Sequence, residues 1–157
     1  MWPLLHPQLT DVFLPCPKQK FIDGVRDLSS NKLDKAVEHF SEAVAAASRE
    51  LEGAGADIPN NIELAALSKG ALGYVQALTG QTESAIKLYA EVLPLWQKIH
   101  GEKSAKLTSV YNDIAVLTEL SGAPQAAFDN LKAYQSILIE ASGADSMDAL
   151  AYVPAFF

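Results

Sequence analysis

The chain has 157 residues, the size of one ordinary domain, which is enough to bury an apolar core without disulfides or metal. Hydrophobic residues make up 49% of it, which argues against disorder, and no apolar run reaches the roughly 20 residues of a membrane-spanning helix. The formal net charge is -7, so we expect no nucleic acid as a partner.

Residues 1–17 differ in composition from the rest of the chain, because they hold four of the eight prolines and one charged residue, Asp11. Prolines at this spacing prevent a long helix. We therefore predict an extended apolar arm over residues 1–17 and a single domain over residues 18–157. The arm could be a flexible leader or could cover the first helices, but large apolar side chains are a liability in water. We expect it to dock on a partner protein through Trp2, Leu5, Leu9 and Phe13.

From residue 18 onward, apolar residues recur at helical spacing between turn signals. Asn60 and Glu63 have the spacing of a capping box, Thr82 suits an N-cap, and Pro124 suits a first helical position. Pro94 falls inside a helical stretch, where we expect a kink. The pattern predicts helices over residues 18–29, 33–51, 60–79, 83–100, 105–120, 124–141 and 145–153.

The strongest turn signals are Asn31, Gly80 and Gly122, which are 49 and 42 residues apart. Periods of this size indicate a helical repeat. Each turn follows a small residue and precedes an alanine and then a large side chain at fixed distances. Small residues let two helices approach closely, and one large side chain fills the gap to the next pair. These positions are Gly24, Gly73 and Ala115, then Ala36, Ala85 and Ala127, then Phe40, Tyr89 and Leu131.

The pattern of Gly73, Gly80, Ala85 and Tyr89 resembles the tetratricopeptide repeat, and the 42-residue interval is similar to the longer repeat of kinesin light chains. The resemblance covers residues 18 to about 153. It implies an all-α fold, an α-solenoid of antiparallel helix pairs with about three repeats and a partial fourth first-helix.

In this family the first helix of each pair lines a concave groove that binds partner proteins. Asn112 matches the asparagine with which kinesin-light-chain-like repeats hold a peptide backbone, although it could instead bond locally. The basic cluster that clamps a peptide carboxylate in chaperone-binding members has no counterpart in this sequence. The resemblance implies groove contacts by Phe21, Val25, Leu28, Leu67, Tyr74, Asn112, Val116 and Glu119.

The sequence offers few groups for chemistry. Cys16 is the single cysteine, so neither an internal disulfide nor a thiolate metal site is expected, and a reducing intracellular compartment, cytoplasmic or organellar, is favoured. His6, His39 and His100 share no ligand spacing. His39 lies one turn from Glu42, an arrangement typical of a solvated helix face. We therefore predict no enzyme activity, no cofactor and no metal.

The sequence as a whole predicts a non-catalytic protein–protein interaction module, an adaptor or scaffold. It would bind partner proteins through its groove, its arm and a C-terminal end left uncapped where Pro154 stops the last helix. The alternative is a fixed accessory or structural subunit of a larger assembly, organellar or membrane-associated. From a different class, an enzyme or small-molecule carrier is the third possibility.

Overall fold

The computed structural model describes residues 16–52 and 56–142. Over these two ranges the protein is all-helical and has no strand. The helices are α1 Pro17–Ser29, α2 Leu33–Glu50, α3 Pro59–Leu78, α4 Thr82–His100, α5 Lys106–Leu120 and α6 Pro124–Ser142. The predicted arm, apart from its last two residues, and the predicted helix over residues 145–153 lie outside the described residues. None of these helices is long and apolar enough to cross a membrane.

The predicted bounds of the six helices are within two residues of those in the structure. Pro17, which the sequence placed in the arm, is buried and is the first residue of α1. The predicted capping box of Asn60 and Glu63 is wrong, because α3 begins one residue earlier, at Pro59, and has Ile58 at its N-cap. Proline has no backbone N–H to satisfy and a fixed helical φ, so it suits this first position.

The predicted N-cap at Thr82 is also wrong, because Thr82 is already the first residue of α4. The carbonyl of Gln81 accepts a hydrogen bond from the backbone N–H of Ala85 at 3.0 Å, so Gln81 occupies the capping position. Helix α4 continues through Pro94 to its end. Pro124 is the first residue of α6, as predicted.

The three predicted turns all have a left-handed backbone. Gly80 and Gly122 have φ values of 81° and 82°, and Asn31 has a φ of 55°. Glycine adopts this conformation without a steric cost, and asparagine is one of the few other residues that tolerate it. The turns therefore end the first helix of each pair where the sequence pattern predicted.

Each helix packs against the next one along the chain, and α1 also contacts α3. Because short connections join neighbouring helices, the pairs are antiparallel. The small positions of the repeat are buried where the helices meet. A Cβ atom on Gly24 would lie 2.6 Å from Cδ1 of Phe40, and one on Gly73 would lie 3.4 Å from Cε2 of Tyr89. Phe40 and Tyr89 belong to two core clusters. The predicted fold, a helical-repeat solenoid, is confirmed.

Candidate functional site

A shallow, open cavity of about 340 Å³ lies between the first helices of the three pairs, α1, α3 and α5, and also reaches α4. Apolar side chains from α1, α3, α4 and α5 form most of its lining. The residues that line it include Phe21, Leu67, Gly70, Tyr89, Trp96, Ser109 and Asp113. The repeat packing produces this cavity, because it places alternate helices side by side on one face of the solenoid.

A second cavity, of about 480 Å³, lies between α1 and the start of α3. It shares Phe21 and Leu67 with the first cavity, so the two join into one groove, which we call the α1–α3–α5 groove. The charged residues in the lining of this second cavity are Lys18 and Glu63, which have opposite signs. The groove is therefore mainly apolar, with few charges along its length.

Gly70 helps to keep the first cavity open. It lies in the middle of α3, and a Cβ atom at this position would have no neighbour within 4 Å. Glycine inside a helix costs roughly 1 kcal/mol relative to alanine, and no close helix contact requires it here. The missing side chain leaves space beside Leu67 in the cavity wall.

Asp113 is the one charged residue in the lining of the 340 Å³ cavity. It is half-buried, and the hydroxyl group of Tyr89 donates a hydrogen bond to its carboxylate. Burial raises the pKa of Asp113, an effect that the bond from Tyr89 only partly opposes. The pKa of the Tyr89 phenol is raised too, first by burial and then by the nearby negative charge.

Asp113 has no cationic partner within the part of the chain that the structure describes. The ion pairs of these residues lie elsewhere, and the two between lysine and glutamate that join one helix to the next are Lys20–Glu42 and Lys69–Glu91. The site therefore combines aromatic walls with a carboxylate that is partly removed from water and not neutralised.

The residues predicted for the groove fall into two groups. Four are exposed by between 40% and 49% of their surface: Val25, Leu67, Tyr74 and Val116. Only Leu67 of these four is in the lining described above for the two cavities. Glu119 is exposed and lies at a different cavity of about 290 Å³, beside Phe128 of α6.

The other three predicted residues are partly buried. The ring of Phe21 lies 5.7 Å from that of Phe40 and also lines both cavities of the groove. Leu28 packs against the core cluster that contains Phe40. Asn112 is partly buried and already interacts with a group of the chain. The four arm residues, Trp2, Leu5, Leu9 and Phe13, lie outside the described residues.

Sequence reasoning missed Asp113 and the contribution of α4, through Tyr89 and Trp96. Asp113 lies four residues after Ser109, so helical periodicity could have placed both on one face of α5. The hydrogen bond from Tyr89 joins two helices, and no local pattern in the sequence indicates it.

Neither His39 nor His100 is among the residues that line the α1–α3–α5 groove. The sequence suggested a solvated helix face for His39 and Glu42, but Nδ1 of His39 is 2.8 Å from Oδ2 of Asp27, so this side chain links α2 to α1. Glu42 pairs instead with Lys20, because this face of α2 packs beside α1. The described residues contain no group of three or more His, Cys, Asp or Glu side chains that could hold a metal ion.

Residues 63–140, which run from α3 to α6, match the family model described as tetratricopeptide repeat. No curated protein matches the chain significantly. The similarity to the longer repeat of kinesin light chains stays a prediction.

Proposed function

The chain is a tetratricopeptide repeat protein, and on this basis we propose that it binds a segment of a partner polypeptide in the α1–α3–α5 groove. Repeats of this family indicate a protein–protein interaction module in general, and members of the family are typically non-catalytic. The observation that carries the proposal is the groove itself, in which two adjoining cavities of about 340 and 480 Å³ present apolar side chains to solvent.

The exposed side chains of the first helices provide the driving force for binding. Leu67 and Tyr74 on α3 are 40% and 49% exposed, although both are large enough to contribute to a core. Covering apolar surface of this kind yields about 25 cal/mol per Å² before the costs of association are subtracted. A partner segment with several large apolar side chains fits this surface better than a highly charged one.

The arm completes the proposed adaptor. We expect its apolar residues to dock on the partner. Reversible binding at a measurable dissociation constant supports the adaptor, whereas a protein obtained only together with its partner supports a fixed accessory subunit.

The groove is tested by alanine substitution. A peptide selected by the wild-type chain from a random phage-displayed library serves as the probe, and calorimetry measures its affinity. Leu67→Ala and Phe21→Ala, at the two residues that line both cavities, should each weaken binding by about tenfold, since large side chains at the centre of an interface carry most of its energy. Ile139→Ala, at an exposed position of α6, should leave the affinity unchanged. Unchanged affinity in both groove variants would show that the groove is not the site.

A further inference from the structure

The lining of the 340 Å³ cavity combines three aromatic rings with one negative charge. Phe21, Tyr89 and Trp96 come from α1 and α4, and Asp113 comes from α5. An apolar pocket that binds only apolar side chains needs no carboxylate, and burying part of an ionised group costs free energy. The carboxylate of Asp113 therefore influences which side chains the groove can bind.

The carboxylate of Asp113 has room for more hydrogen bonds than it receives. An ionised carboxylate offers about four acceptor sites, and Tyr89 supplies one donor. The raised pKa of Asp113 is in keeping with a carboxylate that has lost water and has gained no compensating cation.

Two lysines lie at the groove, and each has another position or contact than Asp113. Nζ of Lys106 is 5.7 Å from the ring centroid of Trp96, and Lys18 lines the cavity between α1 and the start of α3. Neither forms an ion pair with Asp113 among the residues that the structure describes. A cation that neutralises Asp113 would thus come from a bound partner.

We propose that Asp113 makes the groove selective for partner segments in which a lysine or arginine side chain stands beside large apolar residues. This inference rests on the proposed function. The alkyl stem of such a side chain packs against the aromatic walls, and its charged head reaches the carboxylate of Asp113. The aromatic rings also attract a cation that approaches their faces.

Charge complementarity favours a partner over the chain's own arm as the occupant. Residues 1–15 contain no lysine or arginine and include one acidic residue, Asp11. The arm therefore lacks a lysine or arginine side chain that could neutralise the carboxylate of Asp113.

The experiment compares the full-length wild-type chain with Asp113→Asn. Asparagine keeps an oxygen that can accept the hydrogen bond from Tyr89 but removes the charge. Both proteins select peptides from the same random phage-displayed library. The peptide that binds the wild type most tightly is then synthesised with its lysine or arginine intact and with that residue replaced by glutamine. Calorimetry gives the four dissociation constants.

We expect wild-type selection to enrich lysine or arginine next to apolar residues. Replacing that cation by glutamine should weaken binding to the wild type by about tenfold and should change binding to Asp113→Asn by less than about twofold. Asp129→Asn, an exposed substitution on α6, should behave like the wild type. Circular dichroism checks that each variant keeps its helical content.

Two results would overturn the inference while leaving the proposed function intact: selected peptides without enrichment of a cation, or an equal effect of the glutamine replacement on both proteins. If neither protein selects any peptide, the groove does not bind peptides, and the proposed function fails together with the inference.

Discussion

Asp113 has a cost as well as a proposed use. The Tyr89 hydroxyl and the surrounding apolar side chains hold its carboxylate in the wall of the groove, where burial raises its pKa above the ordinary value. Within the cavity lining, Tyr89 and Asp113 are the two groups that titrate. In the free protein, ionisation of this side chain therefore opposes folding.

The first prediction is that Asp113→Asn stabilises the free protein in a manner that depends on pH. A carboxyl group whose pKa is raised in the folded state contributes fully to stability below its unfolded pKa, and this contribution is lost as the pH rises through the folded pKa. Asparagine does not ionise. Urea denaturation should therefore give the variant the larger free energy of unfolding at about pH 7, and the difference should shrink towards zero at about pH 3.

Asp129→Asn provides the background effect of the same substitution at an exposed position of α6. A difference for Asp113→Asn that stays constant between the two pH values, or a wild type that is the more stable at about pH 7, would contradict the prediction. The predicted gain in stability also means that any loss of peptide binding in this variant does not come from unfolding.

Sequence reasoning located the groove better than it located the chemistry inside it. The first-helix positions of the repeat predicted Phe21 and Leu67, which do line the cavities. The positions along the first helix alone could not show that Leu28 packs against the core, because the burial of a side chain depends on how α2 and α3 pack around α1. Asp113 was missed because its environment in the cavity depends on Tyr89, which lies on another helix.

At the scale of the helices, α1 and α2 pack most closely at Gly24. Among the glycines that the structure describes, a Cβ atom added at this one would come closest to a neighbouring atom. Gly24 faces the ring of Phe40, which is fully buried and also touches Phe21. The sequence predicted that Gly24 lies at a close helix contact, since a small residue seven positions before a turn and a large one nine positions after it recur in the next pair as Gly73 and Tyr89. It assigned Phe40 to the gap towards the next pair, whereas the ring also packs on Gly24 within its own pair. Because packing of this kind repeats along the chain, the sequence shows it as a fixed spacing of small and large residues around each turn.

The second prediction concerns this contact. Gly24→Ala places a methyl group 2.6 Å from Phe40, so the ring must move within a filled core. Overpacking typically costs about 1–3 kcal/mol, which exceeds the roughly 1 kcal/mol that alanine gains over glycine inside a helix. Chemical denaturation should show a net destabilisation.

Gly70→Ala is the matched control, because the same change in α3 meets no atom within 4 Å. It should raise the free energy of unfolding by up to about 1 kcal/mol. A Gly24→Ala variant that is as stable as the wild type or more stable would show that the α1–α2 contact is looser than described.

At the scale of the whole molecule, the two core clusters are built from residues of α1 to α5. The all-α solenoid could be predicted because its parts are local: helix periodicity, turn residues and small contact positions. The division into an arm and a repeat domain is a proposal, with the first helix beginning at Pro17. Partners of the arm cannot be read from its composition, because apolar side chains alone do not specify what covers them.

The third prediction follows from that division. Removing residues 1–15 should leave the melting temperature within about 4 °C of the full chain, since a segment interrupted by Pro3, Pro7 and Pro15 lacks the helical periodicity to continue the solenoid. Affinity for a native partner should fall strongly. Thermal circular dichroism and a binding assay measure the two effects. A melting temperature lower by about 10 °C, with binding intact, would show instead that the arm covers the first helix pair.

The position of Trp96 makes the groove observable without a label. Its ring lines the 340 Å³ cavity and stacks on His100 with the centroids 5.2 Å apart, and the protein has only one other tryptophan, Trp2. In a Trp2→Phe chain, all indole fluorescence therefore comes from the wall of the proposed binding site. Indole emission shifts to shorter wavelength when water is displaced from the ring. A segment that binds in the groove would therefore shift the emission maximum of Trp96 to shorter wavelength.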